Sequence, residues 1–162
     1  MANTSAAPAS WSEAVTRILD EHRDRPGALL PILHGIQHAL GYVPPECVET
    51  LARSLKLSRA EVHGVISFYH DFRSTPPGRH VVKLCRAESC QAVGADALLA
   101  HARQRLGVEL HQTTADGNVT LEPIYCLGNC ALSPAMMVDD QIHGLMTPAR
   151  FDAVVRTLGA SV

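Results

Sequence analysis

The sequence predicts a fold in two parts, a small all-α domain followed by an α/β domain. Apolar residues recur at helical spacing through the first 70 positions, and short β-branched runs alternate with a helical segment from position 80 onwards. Between them, the stretch DFRSTPPGR carries two prolines and a glycine, which indicates a linker. The predicted parts are a disordered tail at 1–10, a helical domain at 11–70, a linker at 71–79 and an α/β domain at 80–162.

Four short helices are predicted in the helical domain. The first spans 11–22. The second has Pro26 in its first turn and ends at Gly41, a residue suited to a left-handed C-terminal cap. The third follows Pro44 and Pro45, which restart the chain.

The fourth helix has the clearest start signal. Ser58 and Glu61 form a capping-box pattern, in which each side chain bonds the backbone N–H of the other residue. The helix is predicted to run from there towards Tyr69. Four short helices in about 60 residues indicate a small bundle or helical hairpins rather than a catalytic domain.

The second part has the predicted order β-α-β-β-β-α. Its first strand is the β-branched run HVVKL, and its last helix opens with a capping threonine and a first-turn proline. The predicted elements in chain order are a strand at 80–84, a helix at 94–106, strands at 108–112 and 119–125, a further strand or hairpin at 135–146, and a helix that Thr147 and Pro148 open and Gly159 closes.

Four cysteines lie in two loops that follow predicted strands. Cys85 follows the first strand and Cys90 lies in the loop before the next helix, while Cys126 and Cys130 follow the strand at 119–125. Gly128, between the second pair, suits a tight loop whose backbone approaches the site closely. If both loops lie at one end of the sheet, the four thiols converge, which favours a metal site over four separate roles.

The spacing of the cysteines limits the kind of site. A dithiol redox site needs C-x-x-C at a helix start, whereas the spacings here are C-x4-C and C-x3-C. A plant-type ferredoxin needs a third cysteine three residues after Cys90, where Val93 stands. An all-thiolate [2Fe–2S] site is favoured, while structural zinc and a metal-free loop remain open at this point.

The composition favours a cytoplasmic protein. The start MANTSAAPAS lacks the basic and apolar regions of a secretory signal, and no apolar run approaches the roughly 18 residues of a membrane span, so no membrane insertion is expected. A net charge of -2 weighs against nucleic-acid binding. Cytoplasmic thiols are kept reduced, and five cysteines cannot all pair, so disulfides are not expected.

Other candidate residues have simpler explanations. Cys47 shares an apolar face with Leu51 and Leu55, which predicts a place in the core. His34 and His38 are four apart on a predicted helix, but no third ligand is evident nearby. The sequence contains neither GxGxxG nor GxxxxGK[ST], so this chain is not expected to bind NAD or flavin itself.

The two cysteine pairs, 35 residues apart, resemble those of the thioredoxin-like [2Fe–2S] ferredoxin family. The chain is similar in particular to the small iron–sulfur subunit of NADH-quinone oxidoreductase (complex I) and its relatives. The resemblance runs from about residue 12 to 160 and includes VHGVISFYHDF, PPGRHVVKLCRAESCQAVG and YCLGNCALSPAMMVD. The segment CRAESCQAVG looks most like the gamma subunit of NAD-dependent formate dehydrogenases.

The resemblance implies an electron-transfer subunit with no catalytic residue of its own, in which Cys85, Cys90, Cys126 and Cys130 ligate one [2Fe–2S] cluster. It also implies docking to a flavin/NADH-binding iron–sulfur subunit in a formate dehydrogenase complex that includes a larger molybdenum- or tungsten-containing subunit. NAD, FMN and molybdopterin are expected only on those partners. The alternatives are the equivalent subunit of complex I or of an NAD-reducing hydrogenase and, from another class, a zinc-stabilised interaction module.

Overall fold

A computed structural model describes residues 11–159, and the chain divides between Pro76 and Pro77 into two compact units. We call them the helical unit and the sheet unit. The tail predicted at 1–10 lies outside the described residues.

The helical unit contains the four predicted helices. They are α1 (Trp11–Glu21), α2 (Leu29–Leu40), α3 (Cys47–Leu55) and α4 (Arg59–Phe68). The prediction for Pro26 was wrong, because this residue lies in a turn before α2 rather than in its first turn. Gly27 adopts a φ of 66°, a left-handed conformation that prevents a right-handed helix from continuing through it.

Local hydrogen bonds fix the ends of these helices as predicted. Gly41 has a φ of 83° and donates its N–H to the carbonyl of Gln37, which closes α2. At the start of α4, the Ser58 hydroxyl accepts the N–H of Glu61, and the Glu61 carboxylate accepts the N–H of Ser58 at 2.7 Å. Both halves of the capping box are therefore present.

The core of the helical unit consists of aliphatic side chains from all four helices. Its largest fully buried members are Val15, Ile32, Leu33, Ile36, Val43, Leu51 and Val62. Cys47 is also fully buried there, as its apolar face predicts. The Gln37 side chain accepts the N–H of Arg73 at 2.7 Å and donates to the carbonyl of Asp71 at 2.6 Å, which attaches the segment after α4 to α2.

The sheet unit is built on a five-stranded mixed sheet. The strands are β1 (His80–Cys85), β2 (Gln112–Thr113), β3 (Val119–Ile124), β4 (Met136–Val138) and β5 (Gln141–His143), in the spatial order β2-β3-β1-β4-β5. The central strands β1 and β3 are parallel, and every other pair is antiparallel. The helices are α5 (Glu88–Ala92), α6 (Ala95–Leu106) and α7 (Pro148–Thr157), with a short 3-10 helix at Cys130–Leu132.

The strand predicted at 108–112 is largely absent, since only Gln112 and Thr113 form strand pairs with β3. His111 adopts a φ of 65°, which an extended strand does not tolerate, and the N–H of Gln112 turns back to the carbonyl of Glu109. The predicted hairpin at 135–146 is confirmed by the antiparallel pair β4–β5. The last helix begins as predicted, with the Thr147 hydroxyl accepting the N–H of Arg150.

The core of the sheet unit lies between the sheet and helices α6 and α7. Phe151 is fully buried there, together with strand residues such as Val82, Leu121 and Met136. Within residues 11–159, no helix has both the length and the apolar character needed to cross a membrane.

The capping box gives a test of the helical unit. Replacing Ser58 with alanine leaves the N–H of Glu61 without its side-chain acceptor, so we expect the free energy of unfolding to fall by about 1 kcal/mol. Urea unfolding followed by circular dichroism measures this change. Ser54→Ala, an exposed serine within α3, is the control and is expected to stay within about 0.5 kcal/mol of the parent. Equal stabilities for S58A and S54A would contradict the assigned cap.

Candidate metal centre

The parallel pairing of β1 and β3 brings the two cysteine loops to one edge of the sheet. Cys85 is opposite Ile124 in the register, and the carboxyl ends of parallel neighbours meet at the same edge. Cys85 is the last residue of β1 rather than the first residue after it, and Cys126 comes two residues after β3 ends. Both loops therefore start from the same end of the central strands.

Cys90 was predicted in a loop, but it lies within the short helix α5. The N–H of Gln91 bonds the carbonyl of Ala87 at 3.0 Å, which closes a single helical turn directly after β1. This turn directs the chain back so that Cys90 packs beside Cys85, with exposures of 2% and 4%. The first cysteine pair is thus buried.

The second pair lies in a tight loop and is exposed. Cys126 and Gly128 have φ values of 91° and 72°, and the Gly128 N–H donates to the Cys126 sulfur at 3.4 Å. The tight loop predicted at Gly128 is therefore present, while the approach of its backbone to a cluster stays a prediction. The sulfur atoms of Cys126 and Cys130 are 3.8 Å apart.

The surroundings of Cys85 favour a thiolate. Burial disfavours the charged form, but the N–H of Ala87 and the thiol of Cys90 both donate to the Cys85 sulfur. The backbone N–H groups of Cys126 and Leu127 donate to it as well. Together these hydrogen bonds outweigh burial and hold the pKa of Cys85 below its ordinary value.

The four thiols also influence one another electrostatically. The pKa of Cys130 is raised, first by its hydrogen bond to Cys126 and by the negative charge of that neighbour, and further by Cys85 and Cys90. Two negatively charged sulfurs close together repel each other unless a cation lies between them. This arrangement suits thiols that share a positively charged metal centre.

The spacing within the pairs indicates how such a centre would be held. Two sulfurs on one tetrahedral metal, each about 2.3 Å from it, lie roughly 3.8 Å apart. The Cys126–Cys130 separation of 3.8 Å matches this value. The second cysteine pair therefore has the spacing of two thiolates on one metal ion.

Two serines link the cysteine loops and were not predicted from the sequence. The hydroxyls of Ser89 and Ser133 lie 2.9 Å apart, and the Ser133 hydroxyl donates to the carbonyl of Cys130 at 2.9 Å. The Cys90 sulfur lies 3.5 Å from the Ser133 oxygen. The sequence signal for these two serines is their position near the cysteines: Ser89 precedes Cys90, and Ser133 follows Cys130 by three residues.

The remaining candidate residues lie in the helical unit. Burial raises the pKa of the Cys47 thiol to about 11, which fits an inert core cysteine. The His34 ring packs against Phe72 with ring centroids 4.9 Å apart. Neither His34 nor His38 belongs to a group of three metal-binding side chains within residues 11–159.

Two cysteine pairs at the carboxyl ends of a central parallel strand pair supply the four thiolates of an all-cysteine iron–sulfur protein. The chain belongs to the family of the thioredoxin-like [2Fe–2S] ferredoxins, whose family model matches residues 15–159. The family, the thioredoxin-like fold and the [2Fe–2S] cofactor predicted from the sequence are thereby confirmed.

Similar proteins include components of two kinds of complex. The E subunit of the NADH-quinone oxidoreductase of Pseudomonas aeruginosa is 35% identical over 144 residues, which cover 89% of this chain and 85% of the relative. The HndA subunit of the NADP-reducing hydrogenase of Solidesulfovibrio fructosivorans is 29% identical over 141 residues, covering 87% of this chain and 82% of the relative.

Among solved structures, the NAD⁺-reducing [NiFe]-hydrogenase in its air-oxidised state has a similar fold, with a TM-score of 0.68 at 26% identity. The match covers 82% of this chain but only 23% of the hydrogenase chain. The chain is thus a [2Fe–2S] protein similar to subunits of NADH-quinone oxidoreductases and of NAD(P)-linked hydrogenases. None of these relatives is a formate dehydrogenase. They therefore fit the alternative prediction, a subunit of complex I or of an NAD-reducing hydrogenase, better than the prediction of a formate dehydrogenase subunit.

Alkylation of Cys47 tests whether this thiol lies in the core or belongs to the metal centre. Because its thiol is fully buried and has a pKa of about 11, iodoacetamide at pH 8 should not modify it in the folded protein. Peptide mass spectrometry before and after urea denaturation measures the labelling, and Cys47 is expected to react only in urea. Rapid labelling of Cys47 in the native protein would contradict its place in the core.

Proposed function

We propose that Cys85, Cys90, Cys126 and Cys130 ligate one [2Fe–2S] cluster, with the first pair on one iron and the second pair on the other. The observation that carries this proposal is the meeting of two cysteine pairs at one sheet edge, with 3.8 Å between the sulfurs of the second pair. When bound, the cluster supplies one-electron transfer.

The residues around the cysteines hold the thiolates in place. Backbone N–H groups donate to the sulfurs of Cys85 and Cys126, and such bonds stabilise negative charge on a ligand sulfur. Cys85 and Cys90 are enclosed, whereas Cys126 and Cys130 are exposed. We therefore propose that electrons enter and leave on the side of the second pair.

The same side carries exposed apolar residues. Tyr125 is 71% exposed, Leu132 46% and Leu145 53%, and the N–H of Leu145 bonds the carbonyl of Leu132 at 2.6 Å. Exposed apolar side chains grouped around a redox site are typical of a protein–protein contact. They support docking to a flavin/NADH-binding iron–sulfur subunit, which would exchange electrons with the cluster in a cytoplasmic complex.

The relatives support a complex of the NADH-quinone oxidoreductase or NAD-reducing hydrogenase type. Membership of a formate dehydrogenase, with a molybdenum- or tungsten-containing subunit, is the narrower candidate and rests on the segment CRAESCQAVG. In each case NAD, FMN and any molybdopterin would lie on partner subunits.

Single cysteine substitutions test the proposed ligands. Cys85→Ser, Cys90→Ser, Cys126→Ser and Cys130→Ser should each lower the iron and acid-labile sulfide content or change the EPR spectrum of the reduced protein, because each removes a thiolate ligand. Cys47→Ala is the matched control and should keep two irons and two sulfides per chain. A site variant with unchanged content and spectrum would remove that residue from the ligand set. Zinc without sulfide in the parent protein would favour the zinc module instead.

Affinity purification from the native host tests docking and identifies the complex. The double variant Leu132→Ser/Leu145→Ser should retain its cluster but recover at least several-fold less flavin subunit than the parent, because both side chains are exposed beside the second pair. Ile142→Ser, an equally exposed residue on β5, is the control. Undiminished recovery with the double variant would contradict this docking face.

In the parent preparation, membrane subunits indicate quinone reduction, a nickel–iron subunit indicates hydrogen, and a molybdopterin subunit indicates formate.

A further inference from the structure

The Ser89 and Ser133 hydroxyls connect the buried cysteine pair to the exposed one. Ser89 belongs to α5 beside Cys90, and Ser133 follows the 3-10 helix that begins at Cys130. Both serines are half-buried, and their oxygens lie 2.9 Å apart. Further contacts of these two hydroxyls also link the cysteine loops, from Ser89 to the Cys130 carbonyl and from Ser133 to the Cys90 sulfur.

When Cys90 carries its proton, each hydrogen on Cys90, Ser89 and Ser133 can be matched to an acceptor. The Cys90 thiol has two acceptors in reach, the Cys85 sulfur and the Ser133 oxygen at 3.5 Å. The Ser133 hydroxyl donates to the carbonyl of Cys130 at 2.9 Å. The Ser89 hydroxyl also has two acceptors in reach, the Ser133 oxygen at 2.9 Å and the Cys130 carbonyl at 3.3 Å. Every hydrogen in the group has an acceptor.

The count changes when Cys90 is a metal ligand, because a thiolate ligand has lost its proton to solvent. Its sulfur then accepts hydrogen bonds and no longer donates one. Two hydroxyl hydrogens remain, on Ser89 and Ser133, and three acceptors face them: the Cys90 sulfur, the Cys130 carbonyl and, for Ser89, the Ser133 oxygen. The negatively charged sulfur is the strongest of these acceptors. Of these two hydroxyls, only that of Ser133 contacts the Cys90 sulfur, whereas both reach the carbonyl.

We propose that in the cluster-bound protein the Ser133 hydroxyl donates to the Cys90 sulfur while the Ser89 hydroxyl donates to the Cys130 carbonyl. The hydrogen bond from Ser133 to the Cys90 sulfur raises the reduction potential of the cluster. The proposal rests on the proposed role of Cys90 as a ligand. Ser133 is therefore a positioning residue for the electron-transfer site, and Ser89 offers the Cys130 carbonyl a replacement donor at 3.3 Å.

The direction of the effect follows from charge. Reduction adds an electron to the cluster and makes its sulfur ligands more negative, so a hydrogen bond to a ligand sulfur stabilises the reduced form more than the oxidised form. Cys90 is only 2% exposed, so water does not easily replace a lost hydroxyl there. Removing the donor is expected to lower the potential.

The test is an EPR-monitored redox titration of the anaerobically purified protein and its variants. For Ser133→Ala we expect a roughly tenfold lower ratio of reduced to oxidised cluster at a fixed applied potential, about 59 mV for a one-electron couple. Ser89→Ala should shift the potential in the same direction but by less, since the Cys130 carbonyl then competes with the Cys90 sulfur for the Ser133 hydroxyl. Ser133→Thr keeps the hydroxyl and should stay near the parent value. Ser67→Ala, in the helical unit, is the matched control.

A second measurement does not depend on the potential. Electron–nuclear double resonance of the reduced parent should show a coupled proton that exchanges in D₂O, and this signal should be lost in S133A and weakened in S89A. Unchanged potentials and an unchanged proton signal in variants that hold a full cluster would overturn the proposal. If S133A fails to assemble a cluster, the proposal is judged from the reduction potential and the exchangeable proton signal of S89A. A parent protein without iron and sulfide would instead overturn the proposed ligand set.

Discussion

The site depends on the parallel pairing of β1 with β3. These two strands are separated by α5, α6 and β2 along the chain, yet they pair over six residues, from His80 opposite Val119 to Cys85 opposite Ile124. Only a parallel pair places both strand ends, and hence both cysteine loops, at the same edge. If β3 ran the other way, the second pair would lie at the opposite end of the sheet. The core beneath the strands therefore serves chiefly to fix the position of four sulfurs.

The two halves of the site differ in burial, and that difference has chemical consequences. The first pair is enclosed by small apolar side chains such as Ala95 and Ala135, which limit access of water. The second pair is exposed and bordered by Tyr125 and Leu132. An enclosed half limits the access of water, while an exposed half leaves room for a partner protein to come close. The half-buried serines lie where the two environments meet.

Helix caps with a clear sequence signature were predicted, whereas short irregular elements and side-chain contacts between distant residues were not. The capping box of Ser58 and the cap at Gly41 are fixed by residues three or four positions away, so the pattern reveals them. The failure at 108–112 has a different cause, because the left-handed conformation of His111 interrupts the segment VELHQ. Cys90 was misplaced because α5 has only five residues, too few to show helical spacing. The contact of Ser89 with Ser133 joins residues 44 positions apart, which a single sequence does not reveal.

The central claim is that two cysteine pairs each hold one iron. A crystal structure of the anaerobically purified protein, with anomalous diffraction measured at the iron edge, tests it directly. The predicted result is two iron peaks bridged by sulfide, one bonded to Cys85 and Cys90 and the other to Cys126 and Cys130. A single metal ion bonded to all four cysteines, or two irons with the ligands exchanged between the pairs, would contradict it.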